Sequence, residues 1–139
     1  MRDTLTAVET FLGKHHLLSL ATSGERLWCA SMFFAYDTKE IAFIVASDPD
    51  TEHMRNVHHD TSVAGTVGLE TSLVGKIQGI QFAGTMVPAE DSISKELYMS
   101  RFPYARVMNP TLWKIQLSEI KMTDNTLGFG KKLSWKRSS

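Results

Sequence analysis

Apolar and polar positions alternate along most of this chain, and the places where the alternation changes period mark its elements. Leu5, Val8 and Leu12 recur at helical spacing up to Gly13, with Asp3 as the N-cap of a short amphipathic helix. HHLLSLATS (15–23) then reads as a strand, and Ser23-Gly24 turns the chain. In RLWCASMFFAY (26–36), Leu27, Cys29, Phe33 and Ala35 point to one face, while Trp28, Ala30, Met32, Phe34 and Tyr36 point to the other. Both faces are apolar, so both need a cover. The core of a small domain covers one; a partner subunit or a flat apolar ligand is left for the second.

A third strand, IAFIVAS (41–47), leads into a short helix within DPDTEHMRNVHHD (48–60). TSVAGTV (61–67) is a strand, and GLETSLVG (68–75) is a connection or the edge of a hairpin. KIQGIQFAGTMV (76–87) is a long strand whose Gly79 and Gly84 indicate a bulge, a bend or a close approach. Asp91 or Ser92 caps a helix carrying Ile93, Leu97 and Phe102, stopped by Pro103. In LWKIQLSEIKM (112–122), Trp113, Ile115 and Leu117 share one face with Lys114 and Gln116 opposite. The apolar phase then shifts to Ile120 and Met122 after Ser118-Glu119, as a bulge would produce. One or two final strands follow. The expected fold is mainly β with flanking α-helices, its antiparallel strands closed into a barrel.

Composition narrows the class. A chain of 139 residues favours one domain, 1–139, long enough to bury about two-thirds of its unfolded surface. Its 15 basic and 15 acidic residues cancel, so no whole-molecule field draws it to nucleic acid or membrane. Cys29 is single, which excludes a disulfide within the chain and makes a reducing cytoplasm the expected location. Inside an apolar strand, it reads as a buried, inert thiol. The start, MRDTLTAVETFLGKHH, has acidic residues and no long apolar run, so neither a signal peptide nor a membrane span is expected.

Candidate chemistry is sparse. His15-His16 and His58-His59 are neighbours that do not face one site together, and no metal-ligand spacing is present, so no metal site is expected. His58 and His59 fit a helix C-terminus. At SDPDTEHMR, Ser47 and Thr51 offer hydroxyls beside a helix N-terminus suited to a phosphate. Ser47, Asp50 or Thr51 equally fits a plain helix cap, and both readings stand open. The end of the chain poses a separate question. Lys131, Lys132, Lys136 and Arg137 crowd its last nine residues with Phe129 and Trp135, aromatics that a disordered basic tail does not need.

VAGTV (63–67), GIQFAG (79–84), RFPYAR (101–106) and EIKMTDNTLGFGKK (119–132) carry a resemblance over nearly the whole chain. The chain resembles the pyridoxamine 5′-phosphate oxidase-like, FMN-binding split-barrel superfamily, and within it a small uncharacterised bacterial family. The resemblance implies a six-stranded antiparallel split β-barrel and a homodimer with FMN in two clefts between subunits. It also implies Ser31 and Met32 along the ring, Ser47 and Thr51 at the phosphate, and Gln78 and Gln81 as amides for the flavin edge. Lys131 and Lys132 would reach the phosphate from the partner chain, with Phe129 and Trp135 as anchors; solvated lysines on a final strand are the alternative. Flavin-binding members commonly place a Lys three residues after the Ser or Thr, where this chain has Asp50. His53, Arg55, Lys131 or Lys132 is the compensating cation. The implied activity is flavin-dependent oxidoreduction; the alternative is a non-enzymatic binding or interaction module that has lost flavin, with haem as a ligand.

Overall fold

A computed structural model describes residues 2–138, with side chains from residue 4. The first helix, α1 (Arg2–Leu12), already includes position 3, so Asp3 stands inside the first turn and not at its cap. Three strands follow: β1 (Leu17–Thr22), β2 (Trp28–Asp37) and β3 (Ala42–Ala46). Helix α2 (Glu52–His59) leads to β4 (Ser62–Gly68) and β5 (Gln78–Pro88). Helices α3 (Ser92–Arg101) and α4 (Ala105–Met108) precede β6 (Leu112–Asp124) and β7 (Lys132–Lys136). Asp91 is the α3 cap, its carboxylate accepting from the Ser94 amide. The short α4 is the element that periodicity could not show.

Every strand pairing is antiparallel, in the order β3-β2-β1-β4-β5-β6, and a β3–β6 pairing closes six strands into a barrel. Strand β6 makes this closure and extends beyond it. Leu112–Gln116 pair with β3, and Glu119–Thr123 pair on the same edge with β7. Ser118 is the extra residue of a bulge facing Ala83 and Gly84, which accounts for the phase shift in the sequence. Arg137 spans the split between β3 and β7. Its guanidinium donates to the carbonyls of Leu117 (2.8 Å), Glu40 (2.9 Å) and Ile41 (3.0 Å).

The barrel interior takes the inward side chains of alternate positions, among them Met32, Phe34, Phe43, Phe82, Ile115 and Ile120. Helix α1 adds Leu5, Val8, Phe11 and Leu12, and Trp135 anchors β7 to the same cluster. A bare Cα at Gly65 lets β1 and Phe82 close in: an added Cβ would lie 2.1 Å from the Ser19 carbonyl and 2.5 Å from Cζ of Phe82. Helix α3 covers a second cluster on the outer side, where Tyr98 and Met99 meet Ala35, Ile44 and Leu112. Ile93, one of the apolar residues that mark this helix in the sequence, is exposed, because α3 turns Ser94, Tyr98 and Met99 to the sheet.

The remaining outer face of β2, β1, β4 and β5 is bare. One row across it runs Cys29, Ala21, Ala64, Ala83; the next runs Ser31, Ser19, Thr66, Gln81. Phe33 and Leu17 pair beside them, both about half exposed. The second apolar face of β2 therefore lies open from Leu27 to Phe33. Cys29 is exposed there, against the expectation of a buried thiol: the strand is apolar on both sides, but the core fills one.

Candidate functional site

The turn from β3 into α2 concentrates the polar chemistry. Strand β3 ends where its pairing with β6 ends, and the Ser47 amide donates to the Thr111 carbonyl at 3.0 Å. The Trp113 indole then donates to the Ser47 carbonyl at 2.9 Å, which fixes the direction of the exit. Asp48 folds its carboxylate back onto the Asp50 amide at 2.9 Å. Below the turn, fully buried Asn56 ties α2 to the β1–β2 connection. Its amide donates to Thr22 Oγ1 (3.0 Å) and the Arg26 carbonyl (2.7 Å) and accepts from the Glu25 amide (2.9 Å).

Ser47 and Thr51 are brought together, and His53 joins them. Nε2 of His53 lies 2.5 Å from Ser47 Oγ and 3.2 Å from Thr51 Oγ1. Thr51 occupies the N-cap position but makes no side-chain cap bond; its hydroxyl donates to the Asp48 carbonyl at 2.8 Å. The plain capping reading of this turn therefore fails for Thr51. The first N–H groups of α2 keep the positive end of the helix without a side-chain oxygen upon it. Burial lowers the His53 pKa from its ordinary 6.5. A ring held there is neutral near pH 7, and an anion beside it favours its protonated form.

The surrounding charge is mixed. Arg26 is engaged by Glu52 at 2.5 and 3.1 Å, an interaction that lowers the Glu52 pKa. Arg55 donates to the Asp50 carbonyl at 2.5 Å and lies 3.8 Å from Glu25. Two hydroxyls, one imidazole and an uncapped helix start fit a phosphate in hydrogen-bond donors, and His53 is the group able to add charge there. A cleft of about 490 Å³ opens beside the turn, lined by Ala46, Ser47, Asp48, Pro49, Met108 and Pro110 among others.

The other expected site residues lie elsewhere. Ser31 and Gln81 share a row on the bare outer face, one strand pair on each side of Ser19 and Thr66. Met32 turns into the barrel core, so beside Ser31 it offers its backbone. Gln78 points opposite to Gln81 and donates to Asp124 at 3.1 Å, a bond that holds the β6–β7 turn. Lys131 and Lys132 are exposed at the far end of β6 from Ser47. Within one chain they do not join the Ser47–Thr51 cluster. Phe129 is 83% exposed and anchors nothing in its own chain, whereas Trp135 does. In the sequence His53 is one of four candidate compensating cations, beside Arg55, Lys131 and Lys132, and Asn56 is unmarked; a lone Asn in a short helix carries no signal until its three partners are in place.

His15 packs tilted against Phe11, ring centroids 4.2 Å apart, and His16 meets Phe102 edge to face, so the first histidine pair diverges. Among the described residues no group of three His, Cys, Asp or Glu is placed to hold a metal ion. Among the described residues no helix is long and apolar enough to cross a membrane.

No protein-family model matches the chain. It is 45% identical over 139 residues to a UPF0306 protein of Cronobacter sakazakii, covering 97% of this chain and 96% of that one. To the UPF0306 protein YhbP of Salmonella arizonae it is 42% identical over 141 residues, covering 99% and 96%. A haem-binding protein from Mycobacterium smegmatis is structurally similar, with TM-score 0.77 at 14% identity over 96% of this chain and 57% of that one. HutZ, a haem storage protein from Vibrio cholerae, gives 0.65 at 13% identity over 81% and 89%. A protein described as a pyridoxamine 5′-phosphate oxidase from Listeria innocua gives 0.65 at 18% identity over 86% and 95%. At such identities the structural likeness speaks for the fold.

Proposed function

The chain belongs to the UPF0306 family and has the split-barrel fold of pyridoxamine 5′-phosphate oxidase-like proteins, and from these premises we infer that it is an FMN-binding homodimer. The observation that carries the reading is the uncapped start of α2, where Ser47 and Thr51 before the helix meet His53 in its first turn. These groups hold the phosphate, with His53 supplying charge that Asp50 does not. Ser31 and Gln81 lie on the bare face along which the ring rests, the Met32 backbone beside them, and Gln78 supports this edge through Asp124. The second copy covers that face and brings Lys131 and Lys132 toward the phosphate end. Bound flavin supplies the hydride or electron chemistry of an oxidoreductase, while the protein positions it and excludes water.

A second reading is a split-barrel binding module without flavin. It is favoured by the exposed carboxylates Asp48 and Asp50 beside the phosphate position, and by structural neighbours described as haem-binding and haem-storing. The absorption spectrum of freshly purified protein, followed by separate titrations with FMN and haem, decides between them. A flavin spectrum, or saturable FMN binding with weak haem binding, supports the first; haem binding without FMN binding supports the second.

A further inference from the structure

The segment 125–131 is a built turn. Asp124 accepts from the Thr126 amide (3.0 Å) and from Gln78 (3.1 Å). Asn125 donates through its side chain to the Val74 carbonyl (2.8 Å) and through its backbone to the Ile77 carbonyl (2.9 Å), and its side-chain oxygen accepts from the Gly130 amide (3.0 Å). Gly128 and Gly130 take φ of 136° and 75°, values that bend the chain outward and disfavour other residues. All this bonding holds Phe129 in solvent at 83% exposure, beside exposed Leu127, Leu73 and Val74. An aromatic fixed on a rigid turn is an anchor whose ordering cost is already met.

Charge indicates what it anchors to. Lys76, Lys131 and Lys132 flank this tip, and none lies in an ion pair among the described residues. At the other end of β6, Asp48 and Asp50 are, among the described residues, likewise without a cation partner for their carboxylates; Asp48 lines the cleft with Ala46, Pro49, Met108 and Pro110, and Asp50 follows in the same turn. The cleft is roomy enough for a phenyl ring, and the two ends complement each other in charge.

We propose that Phe129 of each chain seats in the β3–α2 cleft of a second copy, with Lys131 and Lys132 facing its Asp48 and Asp50. This rests on the homodimer part of the reading above and is independent of flavin. A two-fold axis makes the contact twice, so each cleft is completed by the other chain's tip.

Sedimentation velocity at micromolar concentration tests it with charge reversal. Lys131→Glu/Lys132→Glu and Asp48→Lys/Asp50→Lys chains should each dimerise at least tenfold more weakly than the natural protein, while their mixture should form a heterodimer in which both contacts are again complementary. Phe129→Ser should weaken dimerisation similarly and keep the far-ultraviolet circular dichroism of the parent. A natural dimer left at full strength by Phe129→Ser and by both charge reversals overturns the proposal but leaves the homodimer reading intact. A monomeric natural protein overturns both. Binding of the monomer to anionic phospholipid vesicles through Phe129 would make a lipid surface the occupant instead.

Discussion

At the residue scale, His53 gives a signed pH dependence. Burial lowers its pKa in the folded chain below 6.5, so between the two values the unfolded chain binds a proton that the folded chain does not. Stability of the ligand-free protein therefore falls as pH drops through that window, and His53→Gln should flatten the fall in urea midpoints. His15, lowered by burial and by its cationic neighbours, accounts for a further part. Flavin binding carries the opposite sign, because a phosphate beside the ring favours the imidazolium. FMN affinity should rise as pH falls toward 6, and more steeply in the natural protein than in His53→Gln, a comparison that cancels the phosphate's own titration. Equal slopes would remove His53 from the phosphate.

The element scale is where the crowded chain end finds part of its answer. Arg137 is no tail residue: it closes the split by satisfying carbonyls of Glu40, Ile41 and Leu117 that β3 and β7 leave between them. Arg137→Ala should cost about 1.5–3 kcal/mol in a denaturation curve, the range for hydrogen bonds that involve a charged group. Lys should restore little of it, since one ammonium does not reproduce the fork. Trp135→Ala should cost about 3–5 kcal/mol as a buried ring is lost, whereas Phe129→Ala should leave the chain's own packing unchanged. The elements themselves were legible because β strands here alternate cleanly: Trp113, Ile115 and Leu117 face inward, and the slip at Ser118 shows in the sequence as a change of phase. What was not legible depends on tertiary placement. Exposure of Cys29 and Phe129, rotation of α3 away from Ile93, and the convergence of His53 on Ser47 follow from which face each element presents, which period alone does not determine.

At the scale of the whole molecule, the proposed second chain would cover the bare face of β2, β1, β4 and β5 and join the two oppositely charged ends of β6. Small residues across that face let two sheets approach closely, and Gln81 and Ser31 stand among them. The closed barrel and the bulge were within reach of the sequence and of family resemblance; the uncapped α2 was not, because a cap and an anion site draw on the same residues, and neither was the distance between the lysines and Ser47, which only the strand pairings set. On the proposed reading, the start of α2 holds a phosphate together with Ser47, Thr51 and His53. The most direct measurement is a pair of titrations of flavin-free protein with FMN and with riboflavin, which share the ring and differ in the phosphate. FMN should bind tighter than riboflavin by about tenfold or more, as charge-assisted hydrogen bonds to a phosphate provide. Equal affinities, or no binding of either, would contradict it.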